Sequence, residues 1–254
     1  MKLLSKFTLI FVFLLSAVGV FAQQNNTLAE GVDLYKGGDF AGAVVKLKDT
    51  EDAAGLYYLG MSYEKLDKPN DAGKAYEKAF KASYNVLEQE LEDRFEKPGK
   101  GDKEALAVFF KRLTPQIQVG AVSANNAVRL KAKMSKDYEW MNKAVTTVGL
   151  FDLLKVTEPM YAVDEVETEP VITKKSPPKY TDAARQNNIT GKVKLLLVLG
   201  ADGKVKNVIP IQGLPYGLTE QAVEVAKTVE FTPAMKDGKN VSTVKLLEYN
   251  FSIY

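Results

Sequence analysis

Gly191-Lys192-Val193-Lys194-Leu195-Leu196-Leu197-Val198-Leu199, then Ala201-Asp202-Gly203, then Lys204-Val205-Lys206, decides the fold of the last third of this chain. Val193, Leu195, Leu197 and Leu199 share one face at a two-residue period, alternating with Lys192, Lys194, Leu196 and Val198. A strand with one strongly apolar face is therefore predicted. Asp202-Gly203 supplies the turn residues of a tight hairpin. Val205 and Ile209 continue a buried face on the returning strand, with Lys204 and Lys206 toward solvent. Thr219 is a candidate helix cap, with Glu220 favourable in the first turn. Ala222, Val223, Ala226 and Val229 follow as an apolar stripe at helical spacing. Leu247, Tyr249, Phe251 and Ile253 share one face of a last strand. These elements predict an α+β domain: a small three-stranded antiparallel sheet with helices on one face.

The same region, residues 177–254, carries an ordered set of residues. It opens with Pro178, Tyr180, Ala183, Ala184 and Arg185, then Ile189, Gly191 and Val193. Gly213-Leu214-Pro215 and Gly217-Leu218 precede the helix. Phe231, Pro233, Ala234, Asp237 and Gly238 lead to Phe251-Ser252-Ile253-Tyr254. This pattern closely resembles the C-terminal domain of the TonB family, the periplasmic part of an energy transducer that touches outer-membrane receptors. The resemblance implies contact and force transfer rather than chemistry. It also implies that a receptor segment lies along the last strand, at Val241 to Tyr249. Ser242, Thr243, Val244, Lys245, Leu246 and Glu248 are then the partner-binding candidates. Tyr180 and Arg185 match the family's opening segment, near that surface. The alternative is that Tyr180 packs on the sheet and Arg185 is a surface helix charge.

An argument about edges stands beside the resemblance. A three-stranded sheet leaves two rows of unpaired backbone groups. An extended partner can add to such an edge, with affinity from the main chain and specificity from alternate side chains. A second copy of the chain could pair there instead, giving a homodimer.

The whole chain has 254 residues, 46% hydrophobic and 26% charged, with no cysteine and no histidine. Disulfides, thiolate nucleophiles and histidine bases are thus excluded, and with them a Ser-His-Asp triad. No pair of acids sits in a recognisable catalytic motif, so no enzyme and no cofactor are expected. Residues 170–254 hold 12 basic and 7 acidic residues, while residues 23–169 are acidic on balance. No Lys/Arg cluster is interleaved with aromatics, so no nucleic-acid partner is expected.

Residues 1–22 read as a signal peptide: Lys2 and Lys6, the uncharged apolar run Phe7 to Phe21, and Val20-Phe21-Ala22 before Gln23. The competing reading is an uncleaved anchor, but a membrane-spanning helix needs about 20 apolar residues. The expectation is a periplasmic protein with no stable membrane span after cleavage.

Residues 23–156 read as a helical domain resembling tetratricopeptide repeats. Leu56, Leu59, Gly60, Tyr63, Ala72, Tyr76 and Ala79 fit one copy. Gly31, Leu34, Gly38, Ala43 and Leu47 fit a shortened one. Leu106, Val108, Phe109 and Leu113 mark a helix, and Val119 to Met134 and Trp140 to Leu154 mark two more. Trp140 is expected to pack in the core. Residues 157–176 read as an extended, solvated linker, with Asp164, Glu165, Glu167 and Glu169 as solvated charges rather than a calcium site. Anchored TonB members carry a long proline-rich spacer there, so this chain departs from them. Two functions follow: a periplasmic interaction protein that adds a receptor or envelope partner to its last strand, or an envelope scaffold whose repeats bind partners while the C-terminal module self-associates.

Overall fold

The computed structural model describes residues 26–97 and 104–253. The expected signal peptide lies outside the described residues. The chain divides into two compact units. The first takes the described residues up to Gln89 together with Leu113–Thr147; the second takes Glu90–Arg112 together with the residues from Val148 onward. The expected boundaries, a helical domain to 156 and a module from 177, therefore shift: part of the helical region belongs with the sheet.

The first unit is helical. Helices α1 (Asn26–Lys36) and α2 (Phe40–Leu47) pack on each other and on α3 (Ala53–Lys65), which is followed by α4 (Pro69–Leu91). Asp39 and Asp52 cap α2 and α3 by accepting the amides of Gly42 and Gly55, both at 2.8 Å. Close approach is enforced at two glycines. A Cβ on Gly31 would meet Leu47 at 2.5 Å, and one on Gly60 would meet the Tyr76 ring at 2.7 Å. Helix α5 (Leu106–Arg129) runs on through Pro115 where two separate helices were expected. Helix α6 (Tyr138–Leu153) places Trp140 edge-on to Phe80, with ring centroids 4.8 Å apart. Trp140 is buried in this core.

The second unit is built on a mixed sheet. Its strands are β1 (Met160–Ala162), β3 (Gly191–Leu199), β4 (Val205–Gln212), β6 (Ala234–Lys236) and β7 (Lys239–Phe251), the main path running β1-β7-β3-β4. The expected hairpin is present as β3 and β4, and β7 pairs antiparallel with β3 from Gly191↔Phe251 to Leu199↔Thr243. β6 joins β7 through Asp237 and Gly238, both at positive φ (51° and 70°), as a two-residue hairpin requires. A second, two-stranded sheet pairs β2 (Val171–Lys174) with β5 (Glu230–Thr232).

Four expectations need correction. The sheet is five-stranded and mixed rather than three-stranded and antiparallel, because β1 adds parallel to β7 and β6 adds a short antiparallel partner. Residues 157–176 are fastened rather than free. Asp164, Glu165, Glu167 and Glu169 each meet a partner far along the chain. Finally, helices do not cover one face alone. On the first face, Val193, Leu195, Leu197, Leu247, Tyr249 and Phe251 pack with helices α7 (Asp182–Gln186) and α8 (Leu218–Ala226). On the opposite face Leu196, Val198, Ile209 and Val244 are at most 2% exposed. Gly149 of α6 lies so close to Ile209 that a Cβ would come within 2.9 Å of its methyl, and Glu96 pairs with Lys194. Thr219 does not cap α8 either. Its hydroxyl accepts the Leu214 amide at 2.8 Å and donates to the Leu214 carbonyl at 2.9 Å, closing the preceding loop.

Candidate docking edge

The alternation of β7 fixes what each residue offers. Side chains of Lys245, Leu247, Tyr249 and Phe251 share the α8 face, opposite Leu197, Leu195, Val193 and Gly191. Side chains of Ser242, Val244, Leu246, Glu248 and Asn250 take the other face. In an antiparallel pair the amide and carbonyl of one residue point to the same side, and successive residues alternate. The Glu248 carbonyl accepts from Lys175 Nζ at 2.6 Å, so it points away from β3. Leu246 and Asn250 present their backbone groups on that same outer edge.

Strand β1 covers one part of this edge. Met160, Tyr161 and Ala162 pair parallel with Ser242, Thr243 and Val244 on the side opposite β3. From Lys245 to Phe251 no strand lies on that side among the described residues. The expected edge, Val241 to Tyr249, is therefore half closed and is displaced toward the end of the strand.

The candidates divide accordingly. Ser242, Thr243 and Val244 are buried, and Ser242 Oγ accepts the Ala201 amide at 3.1 Å. Strand β1 occupies the outer side of all three. Lys245, Leu246 and Glu248 are half-buried along the open part. Lys245 Nζ reaches Glu169 at 3.5 Å. Glu248 pairs with Lys192 at 2.9 Å, and that hydrogen bond holds its carboxyl below the usual carboxylate range. Tyr180 sits at the far end: its ring meets Phe251 edge-on at 5.8 Å and its hydroxyl donates to the Ile189 carbonyl. Arg185 is exposed, its guanidinium 5.1 Å from the centre of the Tyr180 ring. Tyr180 thus braces the end of β7, and Arg185 reaches it only through Tyr180.

Residues not anticipated hold β1 in place. One carboxylate oxygen of Glu165 accepts both the Ala162 amide (2.8 Å) and the Leu106 amide at the start of α5 (2.9 Å). Arg94 grips Asp164 with two nitrogens at 3.1 and 3.2 Å. Thr168 exchanges backbone hydrogen bonds with Met235, and Glu167 accepts the Asp237 amide at 3.2 Å. Apart from Ala162, these partners lie 59 to 70 residues away in sequence, beyond any local signal. The other edge of the sheet, β4, is unsuited to docking. It carries Pro210 and two register shifts, both of which blunt an edge.

Among the described residues no helix is long and apolar enough to cross a membrane. Residues 176–253 match the family described as Gram-negative bacterial TonB protein C-terminal. Among solved structures, the chain is similar to the TonB C-terminal domain of Pseudomonas aeruginosa determined by solution NMR. The identity is 21% over 39% of this chain and 96% of that one, with a TM-score of 0.29. No curated protein matches.

Proposed function

We propose that this is a periplasmic, non-enzymatic interaction protein that takes an extended segment of an outer-membrane receptor or other envelope protein onto the outer edge of β7. The observation that carries this reading is the unpaired stretch Lys245–Phe251, beside a β4 edge blunted by proline and bulges. Backbone groups of Leu246, Glu248 and Asn250 supply the affinity, and the side chains of Lys245 and Glu248 read the partner. The match over residues 176–253 supports a role of the TonB type, in TonB-dependent transport. Secretion follows from the leader expected at residues 1–22. The helical unit serves as scaffold. Its close pairs, Gly31 on Leu47 and Gly60 on Tyr76, support reading α1–α2 and α3–α4 as degenerate tetratricopeptide hairpins.

The test uses the mature chain, residues 23–254. Overlapping synthetic peptides covering the periplasm-facing segments of outer-membrane receptors are titrated against it while amide exchange is followed by NMR. Binding should slow exchange at Leu246, Glu248 and Asn250. Protection confined to the helical unit would instead favour the scaffold reading. Concentration-dependent protection of the same three amides without peptide would mean that a second copy of the chain occupies the edge.

A further inference from the structure

The open half of β7 is not bare. Lys175, on the exposed run just after β2, places Nζ 2.6 Å from the Glu248 carbonyl and 4.5 Å from the centre of the Tyr249 ring. The carbonyl is the central outward acceptor between Leu246 and Asn250, where an added strand would donate an amide. The Glu248 carboxylate gives Lys175 no close partner, because Lys192 holds it at 2.9 Å, and Glu169 is turned to Lys245. Below the ammonium lies a buried phenol, Tyr249, whose hydroxyl has no hydrogen-bond partner.

From this geometry we propose that Lys175 is a guard for the docking edge: it competes with the partner's backbone for the Glu248 carbonyl and must be displaced before a strand can add. The inference rests on the docking reading above. It concerns a residue that neither the TonB-type pattern nor the paired strands single out. A lysine on a free edge is a recognised way to discourage unwanted pairing, since an added strand must bury or move the charge. Here the charge belongs to a neighbouring segment rather than to the edge strand, so it can swing away without disturbing β7. Its ties are few: one hydrogen bond, one ring contact and the longer-range attraction of the Glu248 carboxylate, with the ammonium partly desolvated. β1 differs. Glu165, Asp164, Thr168 and Glu167 fasten its segment at several points, so it acts as a fixed end to the edge rather than a second guard.

Lys175→Met keeps the length of the side chain and removes the charge and the donor; Lys175→Gln removes the charge but keeps a polar end. The same receptor-derived peptides are titrated against the wild-type and variant chains, and the carbonyl shift of Glu248 is recorded by NMR without peptide. Removing the guard should move the Glu248 carbonyl shift and tighten binding of the best peptide about 10- to 150-fold, the equivalent of releasing one charged hydrogen bond. Unchanged or weaker binding by both variants, with protection still at Leu246, Glu248 and Asn250, would overturn the guard and leave the docking edge standing. An unmoved carbonyl shift in both variants would overturn it as well, since the contact would then be absent in solution. If no peptide protects β7 in any of the three chains, the docking reading itself fails, and the guard with it.

Discussion

Cutting the chain at residue 177 should not yield a well-behaved TonB-type domain, although the family match begins at residue 176. The reason is the second face of the sheet. Leu196, Val198, Ile209 and Val244 are at most 2% exposed, yet the elements that reach this face, α6 at Gly149 and the segment at Glu96, precede the cut. Complete burial of one such side chain contributes about 1.5–3 kcal/mol. Four give about 6–12 kcal/mol as an upper figure, since the unfolded chain already buries part of this surface. A domain is stable by only about 5–15 kcal/mol. The fragment 177–254 is therefore expected to lose its cooperative transition in urea, followed by circular dichroism, or to associate through the bare face in sedimentation. Leu196→Thr with Val198→Thr places β-branched, strand-favouring residues there while making that face polar, and should restore a soluble monomer. A wild-type fragment that is monomeric and unfolds cooperatively, within about 2 kcal/mol of the sheet unit in the full chain, would refute the reasoning.

Three further outcomes follow from single contacts. Asn250→Pro removes an outward amide and should leave the fold intact while weakening peptide capture about 2- to 12-fold, the worth of one hydrogen bond. Lys245→Pro removes an amide that faces Leu197 of β3, and should cost about 1–3 kcal/mol of stability in urea unfolding; the reverse ranking would mean that the edge has the opposite phase. Glu165→Ala strands the amides of Ala162 and Leu106 and should cost about 2–4 kcal/mol, with faster exchange of the β1–β7 amides. The helical unit should unfold in alkali. Burial is the main cause holding the phenols of Tyr57, Tyr76 and Tyr84 above their usual value, so their contribution is complete below about pH 10 and is lost as pH rises toward the folded values. Tyrosinate absorbance should appear together with loss of helix and a change in Trp140 fluorescence; smooth titration near pH 10 with helix intact would contradict this.

The parts of the fold that were legible are those written in local periods. The two-residue alternation of Val193 to Leu199 and of Leu247 to Ile253 placed two strands, and Asp202-Gly203 placed their hairpin partner. The two-sided burial of the sheet was legible too, but in a different feature. Leu196 and Val198 break the alternation, and an uninterrupted apolar run marks a strand covered on both sides. Reading only the Val193–Leu199 face hid that signal. β1 had no signal at all: Met160-Tyr161-Ala162 is too short to show a period, and its acidic surroundings resemble a solvated linker. Its hold on β7 comes from Glu165, Asp164 and Glu167, whose partners Leu106, Arg94 and Asp237 are distant in sequence. For the candidate docking edge, the sequence pattern pointed to β7, and the pairing of Ser242 to Val244 with β1 leaves the unpaired part toward Phe251.

That shift bears on which edge of the sheet can work. An edge open all the time would invite a second copy of the chain, and the two edges meet this hazard differently. On β4 the safeguards are covalent: Pro210 lacks a donor and the register slips twice, so no regular strand can add whatever its sequence. On β7 they are of two grades. β1 closes one end through a fastened segment, and Lys175 covers the remainder through one hydrogen bond to Glu248 and one contact with Tyr249. Only the second grade can be reversed at a cost of the order of a single interaction, about 1.5–3 kcal/mol for a charged hydrogen bond. A partner strand that pairs with both the amide and the carbonyl of Leu246, Glu248 and Asn250 makes up to six outward bonds, about 3–9 kcal/mol, and exceeds that cost, while a chance encounter that makes one does not. On the proposed docking, the open half of β7 selects through the number of bonds a strand can complete before β1 stops it, a criterion that depends on the backbone of the partner more than on its side chains.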